Sequence, residues 1–222
     1  MNEEWSQKTK DMGALLNKEV TYKEGIEKLL ELRTELFTQI EQIVNGYPDK
    51  AFSLMPFPNV TGYHSKTLSY SIWHIFRIED IVAHELIAEN EQIFFAGKWQ
   101  ETIHSPIITT GNELKGEAIR EFSEKLDVQA LLNYAKAVME ATNEILRNLT
   151  YADLKRRFGE EEKEKLRRID CVSTDKDAVW LIDYWCGKDV RGLLKMPFSR
   201  HWIMHIEAMQ RIKNKLCKQC KQ

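Results

Sequence analysis

Helical periodicity runs through nearly the whole chain, and it constrains the fold more than any other feature. Between residues 22 and 46, apolar side chains recur at Ile26, Leu29, Leu30, Leu36, Phe37, Ile40 and Ile43. That three- and four-residue spacing places them on one face of an α-helix. Gly46 is positioned to end the run. Thr21 followed three residues later by Glu24 reads as a capping box at its start. Arg33 falls where an apolar residue is due, and its long stem is expected to reach outward to water. No segment sustains the period-two alternation of a half-buried strand, so the expected class is all-α.

Three further long helices are predicted, over residues 65–91, 127–149 and 197–217. Asp127 is the expected N-cap of the third, and Pro197 suits the first turn of the last. Between them lie a loop rich in proline and aromatic residues after Gly46, a connection over residues 93–116, and a small helix in GEAIREFSEKL. The charged stretch DLKRRFGEEEKEKLRRI reads as an exposed insertion, helical on both sides of Gly159, and AVWLIDYW as a short apolar helix ended by Gly187. With 222 residues, the chain is expected to form one helical domain with insertions, residues 1–222.

Composition narrows the partners. Charges of both signs are interspersed and sum to −2, so no basic footprint points to nucleic acid. No apolar stretch approaches the roughly 20 residues of a membrane span. The opening MNEEWSQKTKDMG lacks the apolar run of a secretory signal, so the expected compartment is the cytoplasm. Cys217 and Cys220 form a Cys-x-x-Cys at the C-terminus, without the second half of a zinc knuckle or the context of a redox motif. Ile203, nearly opposite His205 on the last helix, leaves a homodimer as one expectation; cover by the insertions is the other.

The histidines carry the chemistry. His201 and His205 are one turn apart, about 40° on the helical wheel, so both imidazoles project from one face. Met204, Ala208 and Ile212 flank them, whereas Arg200, Glu207 and Arg211 cluster elsewhere, so the pair should face the core. Two buried imidazoles either hydrogen-bond neighbours or share an ion. A third ligand is best supplied by His74, which lies early in the 65–91 helix on a face with Thr67, Tyr70, Ile78 and Ile81. His84 and Glu85 lie about 15 Å further along that helix, too far for the same ion. His64 and His104 fall in loops, and Glu79 and Asp80 point off the His74 face, toward solvent or a neighbouring helix.

These segments, SYSIWHIFRIED and SRHWIMHIEAMQRI, with a long helical connection between them, resemble the DinB superfamily, which includes thiol-dependent transferases of the bacillithiol and mycothiol type. The resemblance implies a four-helix bundle of unusual connectivity with additional helical insertions. It also implies a divalent metal held by His74, His201 and His205. Three imidazoles suit zinc, nickel, iron or copper and leave a position open for water or substrate. A low-molecular-weight thiol activated by the ion for transfer to an electrophile is the implied reaction. Tyr70, one turn before His74, is a candidate to orient substrate, or a core tyrosine. Trp73 and Trp202, each beside a ligand histidine, are candidate pocket walls or packing residues. The alternatives are a non-catalytic metal-binding stress or interaction protein, and a metal-dependent hydrolase. No His-Glu-x-x-His motif provides the hydrolase with a base. The charged insertion and the AVWLIDYWCGK segment depart from the smaller family members.

Overall fold

The computed structural model describes residues 2–219. In chain order its α-helices are α1 (Glu3–Leu15), α2 (Tyr22–Asn45), α3 (Leu68–Asp80), α4 (Ile93–Ala96), α5 (Trp99–Ile103), α6 (Glu117–Lys125), α7 (Val128–Asn148), α8 (Glu160–Arg168), α9 (Trp180–Cys186), α10 (Val190–Lys195) and α11 (His201–Gln219). Among the described residues there is no β-strand, only an isolated bridge between Arg157 and Asp189. Among the described residues no helix is long and apolar enough to cross a membrane.

The polar N-terminus is helical as well. Trp5, Met12 and Leu16 share one face and are buried, and the Asn2 side chain caps the helix by accepting from the Glu4 backbone N–H at 2.9 Å. The turn into α2 corrects the expected capping box. Thr21 makes no cap; its hydroxyl donates to the Leu15 carbonyl at 2.8 Å, tying the two helices together. Gly25 permits this, since a Cβ there would sit 2.9 Å from the Leu16 backbone nitrogen.

Helix α3 is buried on every side. Thr67 caps it, its oxygen accepting from the Tyr70 N–H at 3.0 Å. The helix packs on α7 and α11, and α2 packs on the same two helices. Asp127 caps α7 as expected, accepting from Ala130 at 2.7 Å. Two stretches are π-helical: Ile81–Ala88, which extends α3, and Met196–Arg200, which leads directly into α11.

Charge is carried inside this core, contrary to expectation at Arg33, while Glu79 and Asp80 take the inter-helix role that was one of their two expected ones. Arg33 does not reach outward. It is fully buried and forms a two-pronged bond to Glu79, at 2.9 and 2.7 Å. Its Nε donates to Asn143 at 2.8 Å, and the Trp202 indole donates to Glu79 at 2.9 Å. One polar knot therefore joins α2, α3, α7 and α11. Asp80 is buried too, accepting from the Ile93 and Phe94 N–H groups and from the Tyr134 hydroxyl, each at 2.9 Å, with Arg77 3.2 Å away. Neither acid faces water; both hold helices together.

The charged insertion is helical on one side of Gly159 only. Before it there is a single 3-10 turn, Asp153–Lys155, because the chain bends to pair Arg157 with Asp189. In α8 only Leu166 is fully buried. It joins α9, α10, Met12, Leu16 and the first turns of α2 in a second apolar cluster beside the main core. Ile203 is buried in the main core, so it presents no apolar face to a second copy.

Candidate metal centre

Two helices bring three imidazoles together. His74 projects from the second turn of α3, and His201 and His205 from the first two turns of α11. Their ring centroids are 5.1 Å (His74–His201), 4.9 Å (His74–His205) and 4.7 Å (His201–His205) apart. One nitrogen from each lies within 4.8 Å of the other two. A tetrahedral ion about 2.1 Å from each nitrogen needs spacings of about 3.4 Å, so the nitrogens would have to draw closer to bind one. The π-turn Met196–Arg200 directly precedes His201 and is fixed by the Ser199 hydroxyl, which donates to Leu194 at 2.9 Å.

All three rings are buried, yet their hydrogen bonding is incomplete. The His74 Nδ1 lies 2.8 Å from the Thr110 carbonyl; because a carbonyl only accepts, Nδ1 carries the proton and Nε2 keeps its lone pair. His201 Nδ1 and both nitrogens of His205 have no partner. Buried polar atoms are nearly always satisfied, so three orphans in one cluster need an explanation; a cation would take one nitrogen from each ring. Burial pushes the His74 pKa down to about 4, against the smaller upward pull of its bond to Thr110. Burial pushes His201 and His205 well below the ordinary range, with neighbouring charge adding to it: His74 acts on His201, and His201, His74 and Lys66 act on His205. Neutral imidazoles with free lone pairs are the form that binds a transition metal.

The cluster sits against a cavity of about 480 Å³. Tyr70 lines it with its ring, stacked on His74 at 5.5 Å and 12°, while its hydroxyl donates to the Gly111 carbonyl at 3.0 Å. Gly111 takes a positive φ of 78°, and a Cβ there would meet the Tyr70 ring at 3.2 Å. Burial raises the Tyr70 pKa beyond the usual phenol range. The tyrosine is thus a fixed wall rather than a base.

Trp73 and Trp202 do not reach this cavity. The Trp73 indole donates to Thr109 at 3.1 Å, and Trp202 packs under the Arg33 guanidinium at 4.6 Å. Both flank the ligand histidines from the core side. The aromatic walls come instead from Trp180, Tyr184 and Trp185 on α9, and from Tyr63, whose ring stands edge-on to His205 at 4.7 Å. Sequence reasoning missed Lys66 and these aromatics. The i, i+4 spacing of Trp180 and Tyr184 puts those two on one helical face and was the available signal; Trp185 lies about 100° round from Tyr184.

The other histidines stand apart. His84 Nδ1 faces Asn90 Oδ1 at 2.7 Å in a separate cleft, His64 contacts Arg211 at 2.6 Å, and His104 is an exposed residue at positive φ. Glu85 pairs with Lys165 at 2.9 Å. Among the described residues, no carboxylate and no cysteine lines the histidine cavity. Cys171 and Cys186 are buried in the second apolar cluster; Cys217 is exposed, 2.5 Å from the Tyr47 hydroxyl, and Cys220 lies outside the described residues. No protein-family model matches the chain, and no curated protein matches it significantly.

Proposed function

We propose that this chain is a metal-dependent enzyme of the DinB-like type, in which a divalent transition ion held by His74, His201 and His205 activates a small thiol for transfer to an electrophile. The observation that carries the proposal is the cluster of buried, neutral and mostly unpartnered imidazoles on the wall of a cavity large enough for a small molecule. The four-helix reading is supported by the packing of α2 and α3 on both α7 and α11, with the histidines on α3 and α11.

A divalent ion held by His74, His201 and His205 would supply Lewis acidity and lower the pKa of a small thiol. The protein's own residues do the rest. The Thr110 carbonyl fixes the His74 tautomer, and the Tyr70 ring holds that imidazole in place. The aromatic face of α9 excludes water from one side of the cavity. The thiol proton passes to solvent, sulfur bonds to the electrophilic carbon, and the leaving group departs with the electron pair of the broken bond. Among the described residues no cysteine lines the cavity, so the proposed thiol is a free small molecule. Hydrolysis is less well supported, because no lining carboxylate is available as a general base.

Cobalt substitution tests the reading. A shift of the visible cobalt bands on adding low-molecular-weight thiols, absent in His205→Ala, is the expected result. A cobalt spectrum that no thiol alters, with the ion fully coordinated by protein, would instead assign the site a non-catalytic role.

A further inference from the structure

Lys66 is the one cationic side chain among the described residues lining the histidine cavity. It is half-buried, with its ammonium 4.8 Å above the Tyr70 ring, the same ring that stacks on His74. Among the described residues, no carboxylate pairs with it. Glu113, whose charge acts on Tyr70, accepts a hydrogen bond from the Thr109 hydroxyl, and Lys115 is itself paired with Asp177. The charge environment agrees: burial and then the like charge of Lys115 pull the Lys66 pKa down, and no acid pulls it up. Lys66 is close enough for its charge to act on both His74 and His205. A half-buried ammonium beside an apolar cavity is costly unless an anion joins it.

Ser65 and Asn112, also on the lining, add hydrogen-bonding groups without charge. Trp180, Tyr184 and Trp185 build the aromatic side of the cavity from α9, and Trp180 is 48% exposed, so it stands where a ligand could still cover it. One charged point and an aromatic wall form a complementary pair of subsites, the usual arrangement of a small-molecule pocket.

We propose that this cavity takes a small carboxylic acid with a flat apolar body, its carboxylate held by Lys66 and its body lying against the α9 aromatics. Its role as the acceptor of the thiol rests on the function proposed above; its binding does not. The ammonium donates to the carboxylate, and the aromatic wall selects a planar ring or conjugated chain. A neutral isostere keeps the apolar contacts and loses the charge-assisted bond.

Calorimetric titration with 2-naphthoate and with the neutral 2-naphthamide tests this, on metal-loaded and on chelator-treated protein. The wild type should bind the naphthoate at least about tenfold more tightly than the amide. Lys66→Met should abolish that preference, and Lys66→Arg should keep most of it, with circular dichroism confirming that both variants fold. A preference that survives Lys66→Met but disappears on metal removal would place the carboxylate on the ion, overturning the proposal while supporting the metal reading. A preference that depends on Lys66 in protein that retains no metal would uphold the proposal while the metal reading fails. Equal affinities for the two compounds in the wild type, or binding of neither, would overturn it.

Discussion

The core holds two kinds of buried polar group, and the contrast between them locates the site. In the knot around Arg33 and Glu79, both ends of the ion pair are fully buried and every charged atom has a partner from another helix. In the histidine cluster, where His74 lies one turn or so away on the same helix α3, His201 Nδ1 and both nitrogens of His205 are as buried and have none. The first arrangement is complete and holds the fold together. The second is incomplete as a protein structure, and its three imidazoles could hold a cation. Burial alone does not mark a functional residue; several unpartnered nitrogens gathered beside one cavity point to a ligand.

The largest effect should come from breaking the satisfied side. Glu79→Gln leaves the Arg33 guanidinium buried without its counter-charge, and chemical denaturation should show a loss of about 3–5 kcal/mol. The histidines should behave in the opposite way. In metal-free protein, His205→Ala should cost about 1 kcal/mol or less, because the lost packing is offset by removing two unsatisfied nitrogens. With zinc at about a thousand times its dissociation constant, the wild type should gain about 4 kcal/mol, and His205→Ala should gain almost nothing. Thermal melts with and without zinc measure both numbers.

A smaller effect sharpens the comparison through pH. The folded-state pKa of His74 is lowered to about 4 while its unfolded value is near the ordinary 6.5, so between those values the unfolded chain binds more protons. Metal-free stability should therefore fall as pH drops from about 6.5 toward 4, with His201 and His205 acting in the same direction. Urea denaturation across that range should show a shallower slope in His74→Gln. A comparably small change is expected from Tyr70→Phe, which removes the bond to Gly111 but keeps the stacked ring. It should cost about 1 kcal/mol in the same melts and leave metal content unchanged.

Much of this was legible in the sequence, for a definite reason. Helical spacing is a local property, so the long helices, the Asp127 cap and the shared face of His201 and His205 could be read directly. His74 could be joined to that pair because its own face is apolar. Arg33 was misread because what decides its fate is a carboxylate 46 residues away, which no local pattern shows. Thr21 and Glu24 have the spacing of a capping box, but the short turn from α1 offers the Leu15 carbonyl to the hydroxyl instead. Trp73 and Trp202 have the right neighbours in sequence and the wrong direction in space: residues adjacent to an inward-facing histidine point about 100° away from it. Lys66 and the α9 aromatics meet only when the loop before α3 and the insertion before α11 close over the same end of the cluster.

The central claim is that His74, His201 and His205 form one metal centre, and metal content of the untagged protein tests it most directly. Elemental analysis of wild type should find close to one transition ion per chain, sharply reduced in each of His74→Ala, His201→Ala and His205→Ala. A wild type that neither retains nor takes up zinc, nickel, iron or copper, or single variants that keep full occupancy, would contradict it.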